Sequence, residues 1–334
     1  MQFGFGLITC QKYPGDARDF AQLYADALDL AAEAERLGFD SVWVSEHHFV
    51  DDGYMPSLLP VCAAIAARTR KITIGTGLVL APLYEPIRLA EDAATVDLLS
   101  NGRFVLGLGL GWRPEEFEGL QVPLSERAAR LRETVTVCHQ AWGGGLVESR
   151  NVAVTPKPSR PGGPPIWVGA LAEPAVRRAA RIADGWMATR ITPESYAEQV
   201  RWAREELDRT GRNRSEFTFS MHVPTFAWEE EDAWERVRDS FNFVEWKYTD
   251  MLDARARTSP SAQPPTLTPE REQMLKAQML VGSPERVAEE ISQFQAVAEN
   301  DIHYIARLYW PGMDPAAQRE AMACFAERVM PLLS

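Results

Sequence analysis

Over most of its length the chain alternates short apolar runs with longer stretches whose apolar residues recur at helical spacing. Phe3-Gly4-Phe5-Gly6-Leu7-Ile8 reads as a buried strand. Residues 19–37 then carry Leu23, Ala27, Leu30, Ala31, Ala34 and Leu37 along one face until Gly38 ends the pattern. The same unit recurs. Val42-Trp43-Val44 precedes an Ala-rich helix over 57–68 introduced by Pro56. The β-branched run 71–80 precedes a helix over 86–99 with Pro86 in its first turn, where the missing N–H costs nothing. A strand over 103–109 precedes a helix over 124–142, 166–169 precedes 173–183, and 185–189 precedes the amphipathic stretch 193–210. Strands over 217–226 and 302–308 bring the count to eight, and 314–332 is the closing helix.

Strands apolar on both faces and separated by helices imply a parallel sheet covered by helices, and eight of them imply closure into a (βα)8 TIM barrel. A length of 334 residues suits one such barrel, so residues 1–334 are expected to form a single domain. Regularity breaks at 228–282, an insertion between the seventh and eighth strands. It holds an acidic amphipathic helix over 229–248 and then a segment, 256–269, rich in Pro, Ser, Thr and Gln. That composition reads either as a mobile lid over the barrel mouth or as an inert surface insertion.

Charge narrows the partners. With 35 Lys and Arg against 47 Asp and Glu, a net charge of −12 opposes nucleic acid and anionic membranes, leaving small molecules. Four dispersed cysteines (Cys10, Cys62, Cys138, Cys324) form no CxxC pair, which points away from a zinc site or disulfide framework and towards a reducing cytoplasm. The first residues read as a strand rather than a signal peptide, and the longest apolar runs are too short to span a bilayer.

Candidate chemistry gathers where strands end, which in a barrel is where binding groups sit. The second strand stops at Ser45-Glu46-His47-His48-Phe49. Consecutive histidines point to opposite sides, so one of the pair faces the mouth, and an imidazole there suits proton transfer near neutral pH. The remaining histidines (His139, His222, His303) make no HxH pair, so no metal is expected. Gly107-Leu108-Gly109-Leu110-Gly111 lacks the GxGxxG spacing and follows the fourth strand, which excludes a nicotinamide Rossmann site. Its glycines either present bare backbone to a flat ligand or relieve crowding at a bend. A second turn, Gly169-Ala170-Leu171, opens the helix near Glu173 and offers free N–H groups to an anion.

Together with Gly75-Thr76-Gly77-Leu78-Val79-Leu80-Ala81-Pro82, Pro86-Ile87-Arg88-Leu89-Ala90-Glu91-Asp92, Gly102-Arg103-Phe104-Val105-Leu106-Gly107 and Ala183-Asp184-Gly185-Trp186, these motifs resemble the luciferase-like flavin-dependent monooxygenase family. The resemblance implies a barrel that binds FMN or the deazaflavin F420 in its mouth. It further implies a homodimer formed through the helices after strands two and three. By the same resemblance, reduced FMN comes from a partner reductase, O2 adds to give a C4a-hydroperoxide, and a small organic substrate is oxidised. His47, with His48 and Glu46 beside it, takes the acid/base role. The cofactor contacts implied are Phe5, Gly77 and Leu78 (the site of a non-prolyl cis peptide in relatives), Gly109, Leu110, Arg127, Gly169, Ala170 and Leu171. Where the family places a phosphate-binding arginine this chain has Leu110, and it lacks hydroxyls near Leu171 and Pro174, which shifts the phosphate to Arg127 and the backbone of Gly169, Ala170 and Leu171. Phe5, Trp112 and Trp186 are the expected apolar walls, although a tryptophan serves a core equally well. Gly111-Trp112 followed by Pro114-Glu115-Glu116-Phe117 is common to FMN and F420 branches, so an F420-dependent hydride-transfer enzyme stays open, as does a non-catalytic flavin-binding protein.

Overall fold

The computed structural model describes residues 1–189, 192–229, 232–252, 263–299 and 302–333. The chain begins β1 (Gln2–Ile8), α1 (Phe20–Arg36), β2 (Ser41–Val44), α2 (Leu58–Arg68), β3 (Thr73–Thr76), β4 (Val79–Leu80) and α3 (Pro86–Ser100). It continues through β5 (Phe104–Gly109), α4 (Pro114–Gly119), α5 (Arg127–Trp142), β6 (Ile166–Gly169), α6 (Glu173–Ile182), β7 (Gly185–Thr189), α7 (Pro193–Thr210) and β8 (Thr218–Ala227). Then follow α8 (Ala233–Leu252), α9 (Pro269–Lys276), β9 (Leu280–Gly282), α10 (Pro284–Val297), β10 (His303–Arg307) and α11 (Pro315–Cys324). Helix starts obey local chemistry: Asp19, Thr192, Thr268, Ser283 and Asp314 each cap a free N–H with a side-chain oxygen.

All strand pairings between named strands are parallel, in the order β10-β1-β2-β3-β5-β6-β7-β8, and β8 pairs back onto β10 to close the ring. The molecule is an eight-stranded TIM barrel. The run over 71–80 is not one strand: Gly77-Leu78, joined by a cis peptide, turns the chain between β3 and β4. The insertion falls between the seventh and eighth barrel strands, and β9 extends the sheet alongside the end of β8. Of the expected lid over 256–269, residues 256–262 lie outside the described residues. Among the described residues no helix is long and apolar enough to cross a membrane, and Cys10, Cys62, Cys138 and Cys324 are all free thiols.

The barrel lumen is a separate packing unit. Leu7, Trp43, Val105, Trp167, Met187 and Ile305 fill it, while the larger apolar cluster lies between strands and helices. Trp43 and Trp167 stack at 5.0 Å between ring centroids. Two indoles fit because glycine faces them: a Cβ on Gly75 would fall 2.2 Å from the Trp43 ring, and one on Gly185 2.6 Å from Trp167. Below them the Trp43 indole donates to Ser41 Oγ (2.7 Å), Ser41 donates to His303 Nε2 (2.6 Å), and His303 Nδ1–H donates to Gln2 Oε1 (3.0 Å). Burial pushes the His303 pKa down from about 6.5 to about 3, which keeps the ring neutral in this chain of bonds. As the first residue of β10, His303 lies at the barrel floor, away from the strand ends that form a site.

Candidate active site

A cavity of about 510 Å³ opens at the C-terminal ends of the barrel strands. Leu7, Leu78 and Met187 form its bottom, directly above the lumen indoles. Leu80, Leu110, Trp112, Ala170, Leu171, Ala172 and Leu252 contribute apolar walls. Its polar lining comes from Ser45, Glu46, His47, Thr189, His222, Tyr248 and Arg307.

His47 reaches the cavity; His48 does not line it. The segment that carries them is gripped by α4, which the sequence reading did not resolve as a separate helix. Glu116 Oε1 accepts from His47 Nδ1 (2.8 Å) and from the His48 backbone N–H (3.0 Å), and Arg113 Nη1 donates to His48 O (2.6 Å). Glu116 is fully buried, and its Oε2 has no hydrogen-bond partner. Burying a carboxylate costs free energy unless it is paired, so this one holds the imidazole firmly. His47 Nε2 remains, and Tyr54, Trp112 and Tyr248 surround the ring edge-on at 4.8, 5.7 and 5.7 Å. Pro114 followed by two acids is a helix-start signal that could have located Glu116.

Glu46 lines the cavity with both oxygens engaged. Oε1 accepts from His48 Nε2 (2.9 Å) and Oε2 from the Tyr84 hydroxyl (2.9 Å). Burial raises the Glu46 pKa, with His48 opposing the shift. Burial would lower that of His48, but its contact with Glu46 outweighs this and raises it. The pair braces the end of β2 against the turn before α3.

Phe5 corrects the expectation of a cofactor contact. It is fully buried on the outer face of β1, edge-on to Phe39 at 6.0 Å. Residues two apart share a strand face, but the register between β1 and β2 shifts between Phe5 and Ile8, so Leu7 and not Phe5 enters the lumen. Trp186 is also core: it stacks on Tyr196 at 5.6 Å, although its indole N–H fixes the Ala170 carbonyl (2.8 Å) at the cavity rim. Gly77, Leu78, Gly109, Leu110, Gly169, Ala170 and Leu171 are brought together in the wall. Gly107 and Gly109 relieve crowding: added Cβ atoms would meet Thr76 O at 1.9 Å and Leu78 Cβ at 3.3 Å. Arg127 stands half-buried at the first position of α5 and does not line the cavity. Ser45, Thr189, His222, Tyr248, Leu252 and Arg307 were not foreseen. Tyr248 and Leu252 come from α8, so the insertion builds part of the cavity.

A family model described as luciferase-like monooxygenase matches residues 1–298. The chain belongs to the luciferase-like monooxygenase family. It is therefore an enzyme of the oxidoreductase class. A luciferase-like relative, the F420-dependent glucose-6-phosphate dehydrogenase of Microbacterium testaceum, is 34% identical over 239 residues, 67% of this chain and 67% of that protein. The oxygenase component of a flavin-dependent trigonelline monooxygenase from Acinetobacter baylyi is 31% identical over 174 residues, 50% of this chain and 48% of its own length. In fold, the chain is similar to the monooxygenase RslO1 from Streptomyces bottropensis, with a TM-score of 0.82 at 24% identity over the full length of both. Luciferase-like relatives thus include F420-dependent and flavin-dependent enzymes.

Proposed function

We propose that this protein is a flavin-dependent monooxygenase that takes reduced FMN from a separate reductase and uses O2 to oxidise a small organic substrate. The observation that carries this reading is an apolar cavity with His47 in its wall, its ring held from behind by buried Glu116. Its volume of about 510 Å³ lies in the range of cofactor sites, roughly 300–1,000 Å³. A planar ring fits its floor because Gly169 leaves Leu78 room to lie across it; a Cβ there would fall 2.2 Å from Leu78 Cδ1. When bound, the reduced flavin supplies two electrons and the activation of O2.

The chain's own residues do the remaining work. Leu7, Leu78, Leu110 and Leu252 keep water from the reacting centre. His47, fixed through Nδ1, holds or releases a proton at Nε2. The backbone at Leu171 and Ala172, where α6 starts, offers N–H groups to the phosphate. Arg127 joins that contact if the phosphate extends past the cavity rim.

Hydride transfer with F420 is the second reading, favoured by the 34% identity to an F420-dependent dehydrogenase. A sugar phosphate suits this cavity poorly, since Arg307 is the one cationic arginine or lysine among its described lining residues. Anaerobic titration with reduced FMN and with F420, each followed by O2, tests both. Tight binding of reduced FMN with rapid O2 uptake is expected. Preference for F420 with no O2 uptake would replace the oxygenase reading with hydride transfer.

A further inference from the structure

At the top of the apolar lumen lies a polar layer that His47 and Glu116 do not use. Arg307 ends β10, two residues beyond the lumen-facing Ile305, and lines the cavity although only 6% exposed. Thr189 ends β7 two residues beyond lumen-facing Met187, and His222 pairs in register with both Thr189 and Ile305. Thr189 Oγ1 and His222 Nδ1 are 3.3 Å apart. The Arg307 guanidinium lies 5.2 Å from the centre of the Tyr248 ring. Tyr248 and Tyr54 share a hydrogen bond of 3.0 Å, and the Tyr54 hydroxyl reaches Ser45 Oγ at 3.0 Å. Arg307 hydrogen-bonds the Tyr248 side chain, and Tyr54 and Glu245 also act on it, but among the described residues it forms no ion pair with a carboxylate within 4 Å.

A guanidinium cannot shed its proton to escape burial, so one without a carboxylate partner is compensated by an anion that arrives. The proposed cofactor phosphate does not meet this need. Its contacts at Leu171 and Ala172 follow β6, which stands three strands from β10 in the eight-stranded ring. We propose that Arg307, with Tyr248, is a substrate-recognition site for an anionic group, and that the substrate is a small, mainly apolar organic acid whose carboxylate or phenolate docks on β10. The flat faces of Trp112, Tyr248 and His47 around the same space suit an aromatic or conjugated body. This inference rests on the reading of the cavity as a flavin and substrate site.

Its test needs neither turnover nor oxygen. Binding of benzoate, 4-hydroxybenzoate and octanoate, each against its amide, is measured calorimetrically on the full chain, without flavin and with reduced FMN under anaerobic conditions. At least one acid is expected to bind about tenfold more tightly than its amide, from a charge-assisted contact. That preference should vanish in Arg307→Gln and persist in part in Arg307→Lys, whose circular dichroism and melting temperature report whether the barrel is intact. Equal binding of acids and amides by the wild-type chain would overturn the proposal. So would an Arg307→Gln variant that keeps the preference, or one that loses only reduced-FMN affinity, which would give the arginine to the cofactor. Failure to bind FMN while the acid preference holds would sink the oxygenase reading and leave the anion site standing.

Discussion

Glu116 decides how His47 behaves. With the carboxylate accepting at 2.8 Å, Nδ1 must carry a hydrogen, and the face of the ring turned to the cavity presents Nε2 alone. Glu116→Gln keeps an acceptor in the same place but removes the charge that holds an imidazolium. It should lower turnover by about tenfold and leave reduced-FMN affinity within about twofold, while His47→Ala should lose about a hundredfold. Steady-state O2 uptake and anaerobic titration separate the two effects; wild-type turnover in Glu116→Gln would remove the carboxylate from proton handling. His47 could be read from the sequence because an apolar run ends beside it. The sequence offers a helix start at Pro114 that includes Glu116, but not its pairing with His47, which spans 69 residues. Phe5 was implied by the resemblance alone; in the fold it packs between strands and helices, while Leu7, within the stretch where β1 shifts register against β2, enters the lumen.

At the scale of elements, α8 turns an insertion into a wall of the cavity. Its amphipathic pattern is plain in the sequence, but an acidic composition suggests a solvated surface and says nothing of where the apolar face docks. In the fold Val237, Phe241, Phe243 and Val244 are buried, and Tyr248 and Leu252 overhang the barrel mouth. A polar pin fixes the register of that docking. Lys247 Nζ, buried and 4.5 Å from the centre of the Trp246 ring, meets Asp51 Oδ1 at 2.6 Å in the loop after β2. Asp51 is itself 64% exposed on its side chain, so the pair contributes only about 1 kcal/mol, yet it supplies an ion-pair partner to a buried ammonium. Asp51→Asn should therefore loosen α8 and leave the barrel intact. Limited proteolysis should cut α8 several times faster and KM for the substrate should rise, with far-UV circular dichroism unchanged. Unaltered cleavage and KM would mean that apolar packing alone holds the helix.

At the scale of the molecule, barrel closure was legible because it depends on counting alternating elements, and small errors at their ends do not change the count. The first strand meets the last, β1 against β10, over Gln2 to Gly6 and His303 to Arg307, so the floor chain from Gln2 to His303 and the anion-facing Arg307 both depend on joining the two ends of the sequence. Association between copies is less legible, since one chain's pattern does not say which half-exposed face is covered. Along α2 and α3, Pro60, Ala63 and Thr95 bound a shallow groove beside Tyr84 and Val96, and Leu98 and Leu99 are exposed at the end of α3. Small residues let two such surfaces approach closely, and exposed leucines favour their burial. We propose a homodimer through these helices, with a mass in light scattering of twice the 37.4 kDa chain at micromolar concentration. Ala63→Arg puts a long cation into the groove and should halve that mass while keeping the monomer's fold and its affinity for reduced FMN, because Ala63 itself does not line the cavity. A wild-type chain that scatters as 37.4 kDa would end the dimer prediction, and an Ala63→Arg variant that stays dimeric would move the interface to another face.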